Sequence, residues 1–131
     1  LNGLDGVMEC RAANVFDLLP ELEKAPKSYD FIILDPPAFT KSRKTIDSAM
    51  TGYKEINYRA MKLLPRGGYL ATCSCSHFAS TERFIAMLRS AAHDAGVQLR
   101  QIEQRQQSCD HPILWGVEET DYLKFFLFQV V

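Results

Sequence analysis

Two short stretches of this chain place side chains capable of chemistry where an apolar run ends. The first is Asp35-Pro36-Pro37-Ala38-Phe39, directly after residues 29–34. A carboxylate there can hold a polar group, two prolines fix the backbone and end the ladder, and an aromatic ring offers a stacking surface for a base. The second is Thr72-Cys73-Ser74-Cys75-Ser76-His77, which leaves the apolar run at residues 69–73. Ligands of open α/β sheets bind beyond the carboxyl ends of strands, so the two stretches would border one crevice. A cysteine in that place suits nucleophilic catalysis. Carbon 5 of a pyrimidine, for example, is a poor nucleophile until a thiolate has added to carbon 6. Cys75 is the candidate, with Cys73 in reserve. The competing readings are a strand-end aspartate that merely forms a turn and a cysteine that is a small buried hydrophobe, as Cys10 and Cys109 would be.

Those loops need strands and helices to hold them. Residues 7–12 look strand-like, and Asn14-Val15-Phe16-Asp17 leads into a helical spacing at Leu18, Leu19 and Leu22. Residues 29–34 read as a buried parallel strand interrupted only by Asp30. From about residue 48 to 64 the apolar positions favour a helix, closed by Pro65 and Gly67-Gly68. Residues 69–73 are a further strand. Ser80 is a candidate N-cap for a helix whose stripe of Phe84, Ile85, Met87, Leu88, Ala91 and Ala92 runs to Gly96. Residues 97–104 and 122–130 finish as strands. This order predicts an α/β layered domain with a mostly parallel sheet, the last two strands pairing antiparallel at one edge.

Composition sets limits. With 131 residues, 47% apolar and 24% charged, the chain suits one globular domain or part of one. Fifteen basic against sixteen acidic residues leave no global field to attract nucleic acid, so any RNA contact must be local. No run is long and apolar enough to cross a bilayer, and no secretory leader pattern opens the chain, which points to the cytoplasm. The four cysteines lack the paired spacing of a zinc site, so neither a structural metal nor disulfides are expected. The dense basic cluster is Lys41, Arg43 and Lys44, just past the proline loop, where it could meet phosphates or be ordinary solvated surface. Tyr53, Lys54 and Asn57 are expected on one helical face near it. Asp110-His111-Pro112 could orient a substrate or simply turn the chain.

The string D-P-P-A-F-T-K-S…G-Y-K-E-I-N-Y-R-A-M-K, followed by T-C-S-C-S-H, then D-H-P and Y-L-K, closely resembles bacterial large-subunit ribosomal RNA cytosine-5 methyltransferases. The resemblance covers almost the whole chain. It implies a Rossmann-like class I methyltransferase fold, S-adenosylmethionine (SAM) as methyl donor and cytosine in ribosomal RNA as substrate. It implies Cys75 as nucleophile, Asp35 as a catalytic and cofactor-side carboxylate, and Asn14, Val15, Phe16 and Pro36 as further cofactor contacts. Pro37, Phe39, Lys41, Tyr53, Lys54 and Asn57 become the substrate side. Where related enzymes carry a product-releasing cysteine this chain has Pro37 and Ala38, and the base for the carbon 5 proton stays unassigned. Asn14 stands where the family places an aspartate for the adenine amino group; it can accept through its carbonyl oxygen, or serve as a helix N-cap.

The same resemblance implies that residues 1–131 are the C-terminal part of a catalytic domain, without the first two strands, the glycine-rich loop and the acidic strand end that hold the cofactor. The expectations are weak cofactor binding by this chain alone and a sheet edge that self-associates or shifts its first strand. Two other readings stay open: methylation of an amino group, for which Cys75 is dispensable, and a non-catalytic domain that binds or assembles.

Overall fold

A computed structural model describes residues 3–4, 6–25, 29–40 and 42–131. In chain order the elements are α1 (Val15–Glu23), β1 (Phe31–Leu34), a 3-10 turn (Arg43–Thr45), α2 (Ile46–Leu63), β2 (Tyr69–Ser74), α3 (Thr81–Ala95), β3 (Leu99–Arg105), a second 3-10 turn (Glu118–Thr120) and β4 (Lys124–Val130). They form a four-stranded sheet in the order β1-β2-β4-β3. β1 runs parallel to β2, while β4 lies antiparallel to both β2 and β3, so three strands point one way and the last is reversed. The antiparallel pairing foreseen for the final two strands at one edge is present, with β3 outermost and β4 between β2 and β3.

The strands alternate as their sequences demand. In β4 the residues Lys124, Phe126, Phe128 and Val130 are buried and those between them only half-buried, the period of two that gives a sheet one covered face. That face meets the helices, where Phe126 lies 6.0 Å from Phe84 of α3 and Phe84 lies 5.7 Å edge-on to Tyr53 of α2. The opposite face, through Phe31, Ile33 and Tyr69, carries no described helix, and Phe31 and Ile33 stay 50% and 68% exposed. β1 pairs on one side only among the described residues.

Two helix ends match the sequence closely. The Ser80 hydroxyl accepts from the Arg83 amide at 3.3 Å, and Gly96 closes α3 in the left-handed conformation at φ +67°, which costs an L side chain energy. One expectation is corrected: residues 7–12 form no strand and lie exposed, although β1 keeps an open edge among the described residues. The shift of a first strand onto the open sheet edge therefore does not occur. No described helix is long and apolar enough to cross a membrane.

Candidate active site at two neighbouring strand ends

Leu34 stands opposite Thr72 in the parallel β1–β2 pair, so Asp35 and Cys73 leave adjacent strand ends together. The Cys73 thiol donates to the Leu34 carbonyl at 3.3 Å and to the Asp35 carboxylate at 3.6 Å. Burial first, then the negative charge and hydrogen bond of Asp35, push its pKa up to about 12. Cys73 is thus a protonated tie between the two loops, 8% exposed, and not a nucleophile at neutral pH. Cys75, one turn of the zigzag further on, is a free, half-buried thiol beyond the end of β2. Asp35 and Pro37 are exposed and Pro36 is half-buried.

The ring of Phe39 lies 4.6 Å from Tyr53 and 6.0 Å from Phe16, which seats the proline loop against α2 and α1. Tyr53 and Asn57 correct an expectation. Both are 0% exposed and lie on the buried stripe with Ile56 and Ala60, at the i, i+3, i+4, i+7 spacing of a core-facing helix side. They support the site from beneath and present no surface to a substrate. Lys54 does not share their face; one residue is about 100° of helical rotation, and it pairs with Asp94 of α3 at 2.6 Å. The Asn57 amide donates to the Tyr53 carbonyl at 2.8 Å. Burial raises the pKa of the Tyr53 hydroxyl, only partly offset by Ser74 and the Phe39 backbone, neither of which reaches hydrogen-bonding geometry.

At the start of α1 the Asn14 side-chain oxygen accepts from the Phe16 amide at 3.1 Å, a true N-cap. Val15 is half-buried at the margin of the core, and Phe16 keeps 41% of its surface exposed. Lys41 lies outside the described residues, Arg43 contributes backbone to the first 3-10 turn, and Lys44 is exposed. Asp110 engages its own neighbours, accepting from the Ser108 hydroxyl and pairing with His111 at 3.3 Å, in an exposed loop.

Lys124 is the residue that the sequence reading left without a role. It is 6% exposed, and its ammonium donates to the Ser76 carbonyl at 2.7 Å and to the Tyr122 carbonyl at 2.9 Å. A signal was present: Lys124 shares the inward phase of β4 with Phe126, Phe128 and Val130, where a charge is costly unless it has a task. Beside this turn a cleft of about 330 Å³ opens between His77, Phe78 and Arg83 on one side and Glu118 and Glu119 on the other.

No family model matches the chain. It is 40% identical over 132 residues to the ribosomal RNA large subunit methyltransferase I of Erwinia tasmaniensis and 38% identical over 131 residues to that of Shewanella denitrificans. These alignments cover 100% and 99% of the chain, but it spans only 33% of each relative. Among solved structures, a Streptococcus mutans protein assigned as a SAM-dependent methyltransferase superposes with a TM-score of 0.75 at 20% identity, over 91% of this chain and 30% of that one. The N-methyltransferase NodS of Bradyrhizobium japonicum, solved with S-adenosylhomocysteine, superposes at 0.53 and 16% identity, over 92% and 53%. A sheet in the order β1-β2-β4-β3 with its last strand reversed, and these neighbours, give the chain the class I methyltransferase fold.

Proposed function

We propose that this chain forms the substrate-facing part of a SAM-dependent methyltransferase acting on ribosomal RNA, and that it directs the methyl group to carbon 5 of a cytosine through a Cys75 adduct. The names of relatives aligned along the whole chain support the RNA substrate. The observation that carries the chemistry is the division of labour at the strand ends: Cys73 is sealed to Asp35 and Leu34 as a thiol, which leaves Cys75 as the reachable sulfur.

The described residues fit two ends of the cofactor. Asn14 spends one lone pair of its oxygen on the cap and retains the other for an adenine amino group, beside Val15 and the partly open ring of Phe16. Asp35 and Pro36 would face the methionine end. When bound, SAM supplies an electrophilic methyl carbon and departs as S-adenosylhomocysteine. The Cys75 thiolate forms a sulfur–carbon bond to carbon 6 of the base, and the displaced electron pair makes carbon 5 nucleophilic. After methylation a base, for which Asp35 is the candidate, removes the carbon 5 proton; the electron pair left behind restores the double bond and expels the thiolate. Pro37, the loop seated by Phe39, Lys41 and Lys54 would meet the RNA, the lysines through phosphates.

The test uses the protein that carries this chain, SAM, and a ribosomal RNA segment with 5-fluorocytidine, from which carbon 5 cannot release a proton. A covalent protein–RNA adduct that survives denaturation is expected, retained in Cys73→Ala and lost in Cys75→Ala. Methylation of an amino nitrogen, undiminished in Cys75→Ala, would overturn the reading.

A further inference from the structure

Lys124 occupies a position that packing alone does not explain. It opens β4 directly opposite Ser74, the residue between the two cysteines of β2 and its loop. Its side chain turns to the helix-covered face, together with Phe126 and Phe128, yet its ammonium reaches over the strand end and bonds the Ser76 carbonyl at 2.7 Å. The second bond, to the Tyr122 carbonyl at 2.9 Å, holds the amine from the segment that leads into β4. An ammonium has three donors, and two are spent on these carbonyls. A methionine or leucine in this phase would bury as well and would avoid the desolvation of a charge. What a lysine adds is a pin on the residue after Cys75 and a positive charge behind that sulfur. Burial lowers the pKa of the amine, and Asp121 and the Cys75 thiol, whose negative forms favour the charged lysine, offset part of that shift. At the strand ends the Cys73 thiol and the Tyr53 hydroxyl are both pushed up by burial and add no charge at neutral pH.

We propose that Lys124 is a positioning residue for Cys75: it fixes the Cys75-Ser76 turn through the Ser76 carbonyl and supplies the local positive potential that any anion approaching Cys75 experiences. The inference gives a role to a residue outside the nucleophile and cofactor sets, and it rests on the reading of Cys75 as the working thiol. Its test does not need methyl transfer, so the two can fail separately.

The test compares alkylation of Cys75 by iodoacetate, an anion, with alkylation by iodoacetamide, its neutral analogue, followed by peptide mass spectrometry on the native protein. Cys109, beside Asp110, serves as internal reference. In the unmodified protein the iodoacetate-to-iodoacetamide rate ratio at Cys75 should exceed that at Cys109 by about fivefold, the factor that roughly 1 kcal/mol of local potential produces. In Lys124→Gln, which keeps an amide donor but no charge, the ratio should fall to that of Cys109, and in Lys124→Arg it should recover. A loosened loop would change both rates together and leave their ratio intact. Equal ratios at Cys75 and Cys109 in the unmodified protein, which needs no variant to fold, would overturn the proposal. So would a ratio unchanged in Lys124→Gln. Loss of the 5-fluorocytidine adduct with a normal ratio would instead count against the proposed chemistry alone.

Discussion

Cys73 and Cys75 sit one residue apart and meet different surroundings, because a strand ends between them. With its thiol pushed up to about 12, Cys73 is about one part in ten thousand thiolate at pH 8. Iodoacetamide at pH 8 should therefore label Cys75 and spare Cys73 until denaturant is added; equal labelling of both in the native protein would show that the tie to Asp35 does not hold. Cys73→Ala removes two sulfur hydrogen bonds and leaves a small void, and should cost about 1 kcal/mol in urea unfolding without loss of the RNA adduct. At this scale the sequence was informative wherever a residue type and a strand end coincide. Asp35, Pro36 and Cys75 were legible for that reason, since adjacency of strand ends follows from parallel order. Tyr53, Asn57 and Lys124 were not: whether a polar side chain on a helix or strand faces solvent or a neighbouring layer depends on which side is packed, and residue type alone misleads there.

Among the elements, α1 and α2 are clamped by Glu23, which accepts from Arg59 at 3.0 Å and from Lys62 at 3.0 Å. Burial raises the carboxyl's pKa, but the hydrogen bonds from Lys62 and Arg59 together outweigh it, so the net shift is downward from 4.5. A carboxyl whose pKa is lowered by folding stabilises the protein above its unfolded value and stops doing so as pH falls through the folded one. The difference in urea midpoint between the unmodified protein and Glu23→Gln should thus be full at pH 7 and shrink as pH falls below 4.5. A difference that stayed constant through acid titration would show that the Glu23 charge does not hold α1 to α2. The ends of α3 make a second prediction. Ser80→Ala should cost about 1 kcal/mol for the lost cap, and Gly96→Ala a similar amount, about 1 kcal/mol, for the strained left-handed position. Helix ends were legible because caps are local chemistry. The strand expected at residues 7–12 was not, since a strand exists only with a partner and the sequence of one segment does not contain its neighbour.

At the scale of the whole molecule, the described helices cover one sheet face and leave Phe31 and Ile33 open on the other, on a strand that pairs on one side among the described residues. A face of that kind is a site of association. The chain on its own should sediment as a dimer or larger at tens of micromolar, roughly the range where weak apolar contacts close, and Ile33→Glu should return it to the monomer. A concentration-independent monomer before the substitution would show that the open face is tolerated.

The placement of β4 has a consequence for synthesis on the ribosome. It is the last described strand in the chain, yet it sits inside the sheet and alone connects β2 to β3. Until residues 124–130 leave the exit tunnel, β1 and β2 can pair but β3 has nothing to join, and Ser76 waits for the amine that holds it. A chain whose synthesis stopped before residue 124 would contain every proposed catalytic residue and would lack the amine that holds the Cys75-Ser76 turn.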